Sequence, residues 1–208
     1  MRLSWLANGY DVSGFYYDSM DTSPTFYRQI VTEPAPAFVY QARHDRIRQL
    51  GGTLSKDLGP AVLKAETVYT RGRSYSVLRP DDDDGVVRQD TLDLVGGLDF
   101  PLPEDTRLNV QLFLRPFFDH DPDIVPKRNE PGASLLLNRK LRGGLEAEVL
   151  FITSVVRTDW LLRPRLAWSF APNWRLAVGA DIFDGPPLGL FGQFAHRDRV
   201  YTEVRYAF

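Results

Sequence analysis

Cysteine is absent from this 208-residue chain. That removes disulfides, zinc–thiolate centres and thiol nucleophiles from consideration. Long hydrophobic runs are absent as well. The longest apolar-rich stretch, 149–156, contains Thr153 and Ser154. It falls far short of the roughly 18 apolar residues that a membrane-crossing helix needs. Neither charge sign dominates: 25 Lys+Arg against 27 Asp+Glu leave a formal net charge of −2. No broad electrostatic footprint for nucleic acid follows from that balance. No signal peptide is legible where Met1, Arg2, Leu3, Ser4 and Trp5 run into polar and aromatic residues. The expectation is a cytoplasmic chain, a trimmed one, or one whose natural start lies upstream.

What is present is apolar content arranged by twos. The chain is 43% hydrophobic and 12% aromatic, too apolar for a disordered polymer, yet its mean hydropathy is −0.27. Side chains alternate between faces along a strand, so alternation reads as one greasy and one polar face. In the segment 173–184, Trp174, Leu176, Val178, Ala180 and Ile182 share one parity. Arg175, Ala177, Gly179 and Asp181 share the other. Trp160, Leu162, Pro164, Leu166, Trp168 and Phe170 oppose Leu161, Arg163, Arg165, Ala167 and Ser169 in the same way. A helix would put Arg163 and Leu166 on one side and mix the classes.

About eleven strands follow: 2–7, 11–18, 46–56, 61–73, 90–100, 106–117, 133–141, 145–156, 160–170, 173–184 and 198–208. Short connections at 8–10, 57–60, 101–105, 142–144 and 171–172 alternate with longer ones at 19–45, 74–89, 118–132 and 185–197; 157–159 is the short exception. Short turns alternating with long loops describe an up-and-down antiparallel transmembrane β-barrel. Hairpin register then places Trp168 opposite Leu176, Arg163 opposite Asp181, Asp99 opposite Arg107 and Lys140 opposite Glu146, setting unlike charges across from each other on the polar face. Pro116 and Pro164 fall inside strands, where proline removes a ladder donor.

The polar face supplies the candidate lumen lining: Lys64, Glu66, Asp93, Asp99, Arg107, Arg115, Lys140, Glu146, Glu148, Arg163, Arg165, Arg175, Asp181, Glu203 and Arg205. Charges inside a barrel set which solutes pass. Two outcomes are open: a lumen for small, anionic solutes, or charges that satisfy one another and plug a narrow barrel. The aromatics Trp5, Phe100, Trp168, Phe170 and Trp174, with Tyr206 and Phe208, lie beside short turns or the C-terminus with outward parity, as an interfacial girdle would. Trp160 and Tyr69 are candidates for a second girdle at the opposite strand ends. Arg46 and Arg48 carry lipid-facing parity and are expected above the hydrocarbon, in the lipopolysaccharide head-group zone.

The last strand carries a likeness. Val200, Thr202, Val204, Tyr206 and Phe208 resemble the terminal strand of bacterial outer-membrane barrels, which ends in Phe after alternating apolar or aromatic residues. The resemblance implies that Val204, Tyr206 and Phe208 form the signal read by the barrel-assembly machinery. The segments 44–56 and 181–192 also resemble a family of large, functionally uncharacterised proteobacterial outer-membrane barrels, a likeness covering most of the chain. That family brings no catalytic motif. Counting back from a terminal strand that ends at the periplasm, the first strand also runs toward it, whereas a complete bacterial barrel has an even strand number. The expectation is one barrel domain over 1–208, incomplete at its N-terminus. A miscount within 2–18 and a closed twelve-strand barrel are the alternative.

Other constellations are weaker. Asp81, Asp82, Asp83 and Asp84 form a carboxylate run in a long loop; divalent-cation binding and simple solvation are its two readings. Asp119, His120, Asp121 and Asp123 surround an imidazole with carboxylates. His44 with Asp45, and His196 with Asp198, are similar pairs. No G-x-S-x-G occurs, so no serine hydrolase is expected. No metal or cofactor is assigned. The expected function is a passive outer-membrane pore for small solutes, with outer-membrane lipid, lipopolysaccharide and the assembly machinery as partners and no nucleic acid. The alternatives are a non-conducting structural or surface-binding barrel, and a soluble β-sandwich or ligand-binding barrel.

Overall fold

The computed structural model describes residues 1–77 and 79–208. Strands make up 69% of the chain and helix 3%, so no helical layer is available to cover a sheet face. No helix among the described residues is long and apolar enough to cross a membrane.

The strands are β1 (Arg2–Ala7), β2 (Tyr10–Met20), β3 (Thr25–Val31), β4 (Ala37–Arg43), β5 (Arg46–Asp57), β6 (Val62–Ser76), β7 (Val86–Leu102), β8 (Thr106–Phe118), β9 (Asn129–Lys140), β10 (Leu145–Ser154), β11 (Trp160–Ala171), β12 (Trp174–Asp184) and β13 (Arg199–Tyr206). Short 3-10 turns lie at Arg142–Gly144 and Gly192–Phe194. Eleven strands form one sheet in the order β1-β2-β5-β6-β7-β8-β9-β10-β11-β12-β13, while β3 and β4 pair only with each other. Among the described residues, no pairing joins β13 to β1. The architecture is therefore all-β with an open antiparallel sheet. The eleven expected strands appear one for one.

The connection 19–45, expected as a loop, contains the β3–β4 hairpin. Its runs of Thr, Phe, Tyr, Ile and Val have strand propensity, and the register Phe26↔Ala42, Arg28↔Tyr40, Ile30↔Phe38 is regular. The β7–β8 turn lies later in the chain than the expected facing of Asp99 and Arg107 assumes. Strand β7 runs on through Pro101 to Leu102, and the turn closes over Glu104 and Asp105, both with positive φ. Asp99 therefore meets Asn109, whose Nδ2 donates to Asp99 Oδ1 at 2.6 Å. Pro164 lies where the β11–β12 ladder is interrupted, between Leu162↔Ile182 and Arg165↔Gly179, so its missing N–H is accommodated without a register shift.

The chain divides into two compact units. The first comprises Met1–Leu54, Glu66–Leu94 and Leu114–Glu130. It holds a small buried cluster of Val77, Phe117 and Ile124, with Tyr75 and Val87 packed against it. Gly72, at φ 77°, sits within β6 as a bulge that only an unhindered backbone adopts easily. Beyond it Tyr75 reaches the polar face, where its ring meets Phe117 edge-on at 5.3 Å.

The second unit comprises Ser55–Ala65, Val95–Phe113 and Pro131–Phe208. Its β9–β13 ladder is regular: Val149↔Leu137, Val149↔Pro164, Leu166↔Val178, Leu176↔Val204 and Trp168↔Leu176. These pairs make one continuous apolar face. Leu166, Trp168, Val178, Val200 and Val204 on it stay exposed, Val200 at 78% and Val204 at 60%. The connection 185–197 is packed onto Asp159, which is fully buried and accepts the Phe191 amide at 2.9 Å.

On the polar face of each unit, rings lie flat over glycines of the neighbouring strand. A Cβ at Gly51 would come within 2.4 Å of the Phe15 ring, at Gly132 within 2.2 Å of Phe113, and at Gly179 within 2.5 Å of Tyr201. Such positions relieve crowding where a sheet bends. Gly132→Ala is expected to destabilise the fold by about 1–3 kcal/mol through overpacking, read as a lower denaturant midpoint. Adding Phe113→Leu should recover part of that loss.

Candidate functional site: the charged face of β9 to β13

The parity that exposes the apolar residues gathers the charges on the other side. Around Asp181, whose side chain is fully buried, Arg163 Nε and Arg199 Nε each stand 2.5 Å from one carboxylate oxygen. Two guanidiniums thus share one desolvated carboxylate. The arginines themselves reach water, with side chains 38% and 67% exposed. Next to this triad, Asn138 donates to Glu146 at 2.8 Å and to Glu148 at 3.2 Å, and Arg175 pairs with Glu146. Arg165 and Arg205 both approach Glu203, at 3.8 and 2.7 Å.

In β9–β13, Arg163, Arg165, Arg175, Asp181, Glu146, Glu148, Glu203 and Arg205 therefore fall into three bonded clusters on one face. Glu146 lies opposite Lys140, as the hairpin register implies, but its ion pair goes to Arg175. Lys64 reaches Asp99 at 2.5 Å, while Arg107 has no part in that pair. In the first unit Arg115 pairs with Asp93 at 2.5 Å. Three members of these clusters escape a list built on strand centres: Asn109, Asn138 and Arg199. Their parity matches the charged positions, so the signal was present; the first two are uncharged, and Arg199 opens its strand.

The aromatic positions also assemble. Trp168 contacts Phe170 at 5.5 Å between centroids, Phe170 contacts Trp174 at 6.2 Å, and Trp174 contacts Tyr206 at 4.9 Å. Trp168 Nε1 donates to the Gly143 carbonyl at 3.1 Å, tying the ring row to a short turn. Trp5 is exposed and Phe100 half-buried. At the opposite strand ends, Trp160 meets Phe151 at 6.1 Å and Tyr69 meets Phe118 at 5.9 Å.

The loop carboxylates surround an arginine. Arg79 donates to Asp82 at 3.1 Å, to Asp121 at 2.9 Å and to Asp123 at 3.0 Å. Asp84 caps the Val86 amide, and His120 Nε2 contacts the Pro126 carbonyl at 2.9 Å. His44 contacts the Asp21 carbonyl, and Asp45 accepts from Tyr27. Among the described residues, no group of three or more His, Asp or Glu is arranged to hold a metal ion. Hydrogen bonding from Arg79, helped by the Asp123 amide, holds the Asp121 carboxyl below its ordinary value.

No family model, curated protein or solved structure matches this chain.

Two outcomes follow from the geometry. Asp181→Asn leaves Arg163 and Arg199 facing each other without their shared anion. Because both reach solvent, the expected loss is about 1–2 kcal/mol rather than that of a fully buried pair, measured as a shift in denaturant midpoint. For Asp121, a depressed carboxyl contributes stability that is complete above its ordinary value of 3.8 and disappears as pH falls below it. Amide exchange in 119–128, corrected for intrinsic rates, should stay level from neutral pH to about pH 5 and accelerate only under more acidic conditions.

Proposed function

We propose that this chain contributes eleven strands to the wall of a bacterial outer-membrane β-barrel, with the charged face lining an aqueous lumen that passes small solutes. One observation carries the proposal. Strands β9–β13 present a continuous exposed apolar face and an opposed face of ionised side chains, and among the described residues no second layer covers the greasy side. In water each such large apolar side chain forgoes roughly 1.5–3 kcal/mol of burial. Hydrocarbon supplies that burial with no further protein layer. A soluble sandwich would need a second sheet, and the β3–β4 hairpin is the sole other sheet among the described residues.

The aromatic row beside the short turns supports a headgroup-level girdle of Trp5, Phe100, Trp168, Phe170 and Trp174. Val204, Tyr206 and Phe208 are exposed at the C-terminal end of the sheet, where an assembly signal would have to be reachable. The surplus of arginine over carboxylate in β11–β13 favours anions. A non-conducting barrel is the second reading, and two features favour it: the ion pairs on the charged face are mutually satisfied, and the loop carrying Ile124 packs on Phe117.

Reconstitution into planar bilayers separates the two. The pore reading expects discrete conductance with modest anion preference, and a shift toward cations in Arg163→Ala/Arg165→Ala. A folded, heat-modifiable protein that inserts without conductance supports the second reading. Full solubility without detergent overturns the membrane assignment.

A further inference from the structure

On the face that carries Leu50, Leu92 and Leu94, the first unit also carries arginines. Side-chain pairs set the registers there. Ser13 bonds Thr53 at 2.7 Å between β2 and β5, and Gln49 bonds Thr70 at 3.0 Å between β5 and β6. Glycine contacts agree: Gly52 faces the Ser13 carbonyl and Gly51 the Thr67 carbonyl. One residue away from Gln49 and Thr70, Arg48 and Arg71 therefore share the opposite face of the adjacent strands β5 and β6, and Asp18 pairs with Arg48.

The row is short of negative charge. Asp18 is shared by Arg46 Nε at 2.6 Å and Arg48 Nε at 3.4 Å, whose side chains remain 70% and 60% exposed. Asp90, the other carboxylate of this face, is occupied by the Tyr69 hydroxyl at 2.6 Å and the Gly72 amide at 2.8 Å. Adjacent like charges across a strand pair cost stability. Guanidiniums on an otherwise apolar and aromatic face need an anion from outside, and their planar donor forks suit phosphate. Tyr16 beside Asp18, and the Tyr69–Phe118 ring contact at 5.9 Å, border the row with rings suited to a membrane boundary.

We propose that Arg46, Arg48 and Arg71 form a binding site for the phosphate groups of a phosphorylated lipid in the leaflet that this end of the sheet faces. The inference rests on the membrane reading above. It goes beyond it by assigning a specific lipid contact to three residues.

The test uses the purified chain in dodecylmaltoside micelles, with bis-phosphorylated lipid A as the probe and native mass spectrometry as the readout. Wild-type protein should retain lipid A, and Arg46→Gln/Arg48→Gln/Arg71→Gln should bind at least tenfold more weakly while keeping heat-modifiable migration. The corresponding triple lysine variant should retain most binding, since the charge is kept. Fully dephosphorylated lipid A should bind weakly, and millimolar inorganic phosphate should not displace the lipid. Equal binding by the glutamine variant or by dephosphorylated lipid overturns the site. Displacement by inorganic phosphate makes it a simple anion site and overturns the lipid assignment. Loss of heat-modifiable migration in the wild type defeats the membrane reading instead, so the two failures are distinguishable.

Discussion

Antiparallel backbone pairing holds β2 and β5–β12 each between two neighbours and turns successive side chains to opposite faces. Everything else in this molecule follows from how the residues meet that alternation. Ladder bonds satisfy the backbone polar groups, which leaves the two faces free to differ completely. In β9–β13 they do: Leu137, Val149, Leu166, Val178 and Val204 lie on one side. Arg163, Asp181 and Arg199 lie on the other. Slipping one strand by a residue would reverse its faces, so the register is strongly specified.

The charged face is organised by sharing rather than by isolated pairs. Asp181 serves two arginines, Glu146 serves Asn138 and Arg175, and Glu203 serves Arg165 and Arg205. Asp181 draws its two arginines from the strands on either side, and Glu146 and Glu203 reach arginines two strands away, so these pairs tie the sheet together crosswise. The crowding that this brings is relieved at glycines, where Phe15, Phe113 and Tyr201 lie across the neighbouring backbone.

The apolar face meets a different demand. Its rings gather at strand ends, where Trp168, Phe170, Trp174 and Tyr206 form a contact chain. Its charges gather where β5 and β6 approach the long connections. The same parity that marks Leu50 as greasy also marks Arg46 and Arg48, and the difference between them is position along the strand.

The eleven strands of the main sheet, their order around hairpins, and the split into two faces in β9–β13 were legible in the sequence, because a period of two marks them. Trp168 against Leu176 and Lys140 against Glu146 follow from counting across turns. The hairpin at 25–43 was missed although its aromatic and β-branched runs were visible, since a long connection in an alternating plan reads as a loop. That Asp99 bonds Asn109 and Lys64 was not legible, because the end of β7 depends on where Glu104 and Asp105 turn. Gly72 takes a positive φ within β6, and only folded geometry shows that Tyr75 beyond it joins Phe117. Local spacing determines which face a side chain takes. Which charges share which carboxylate, and whether a loop such as 119–128 folds onto Arg79, depend on atoms brought together from distant strands, and tertiary structure alone decides them.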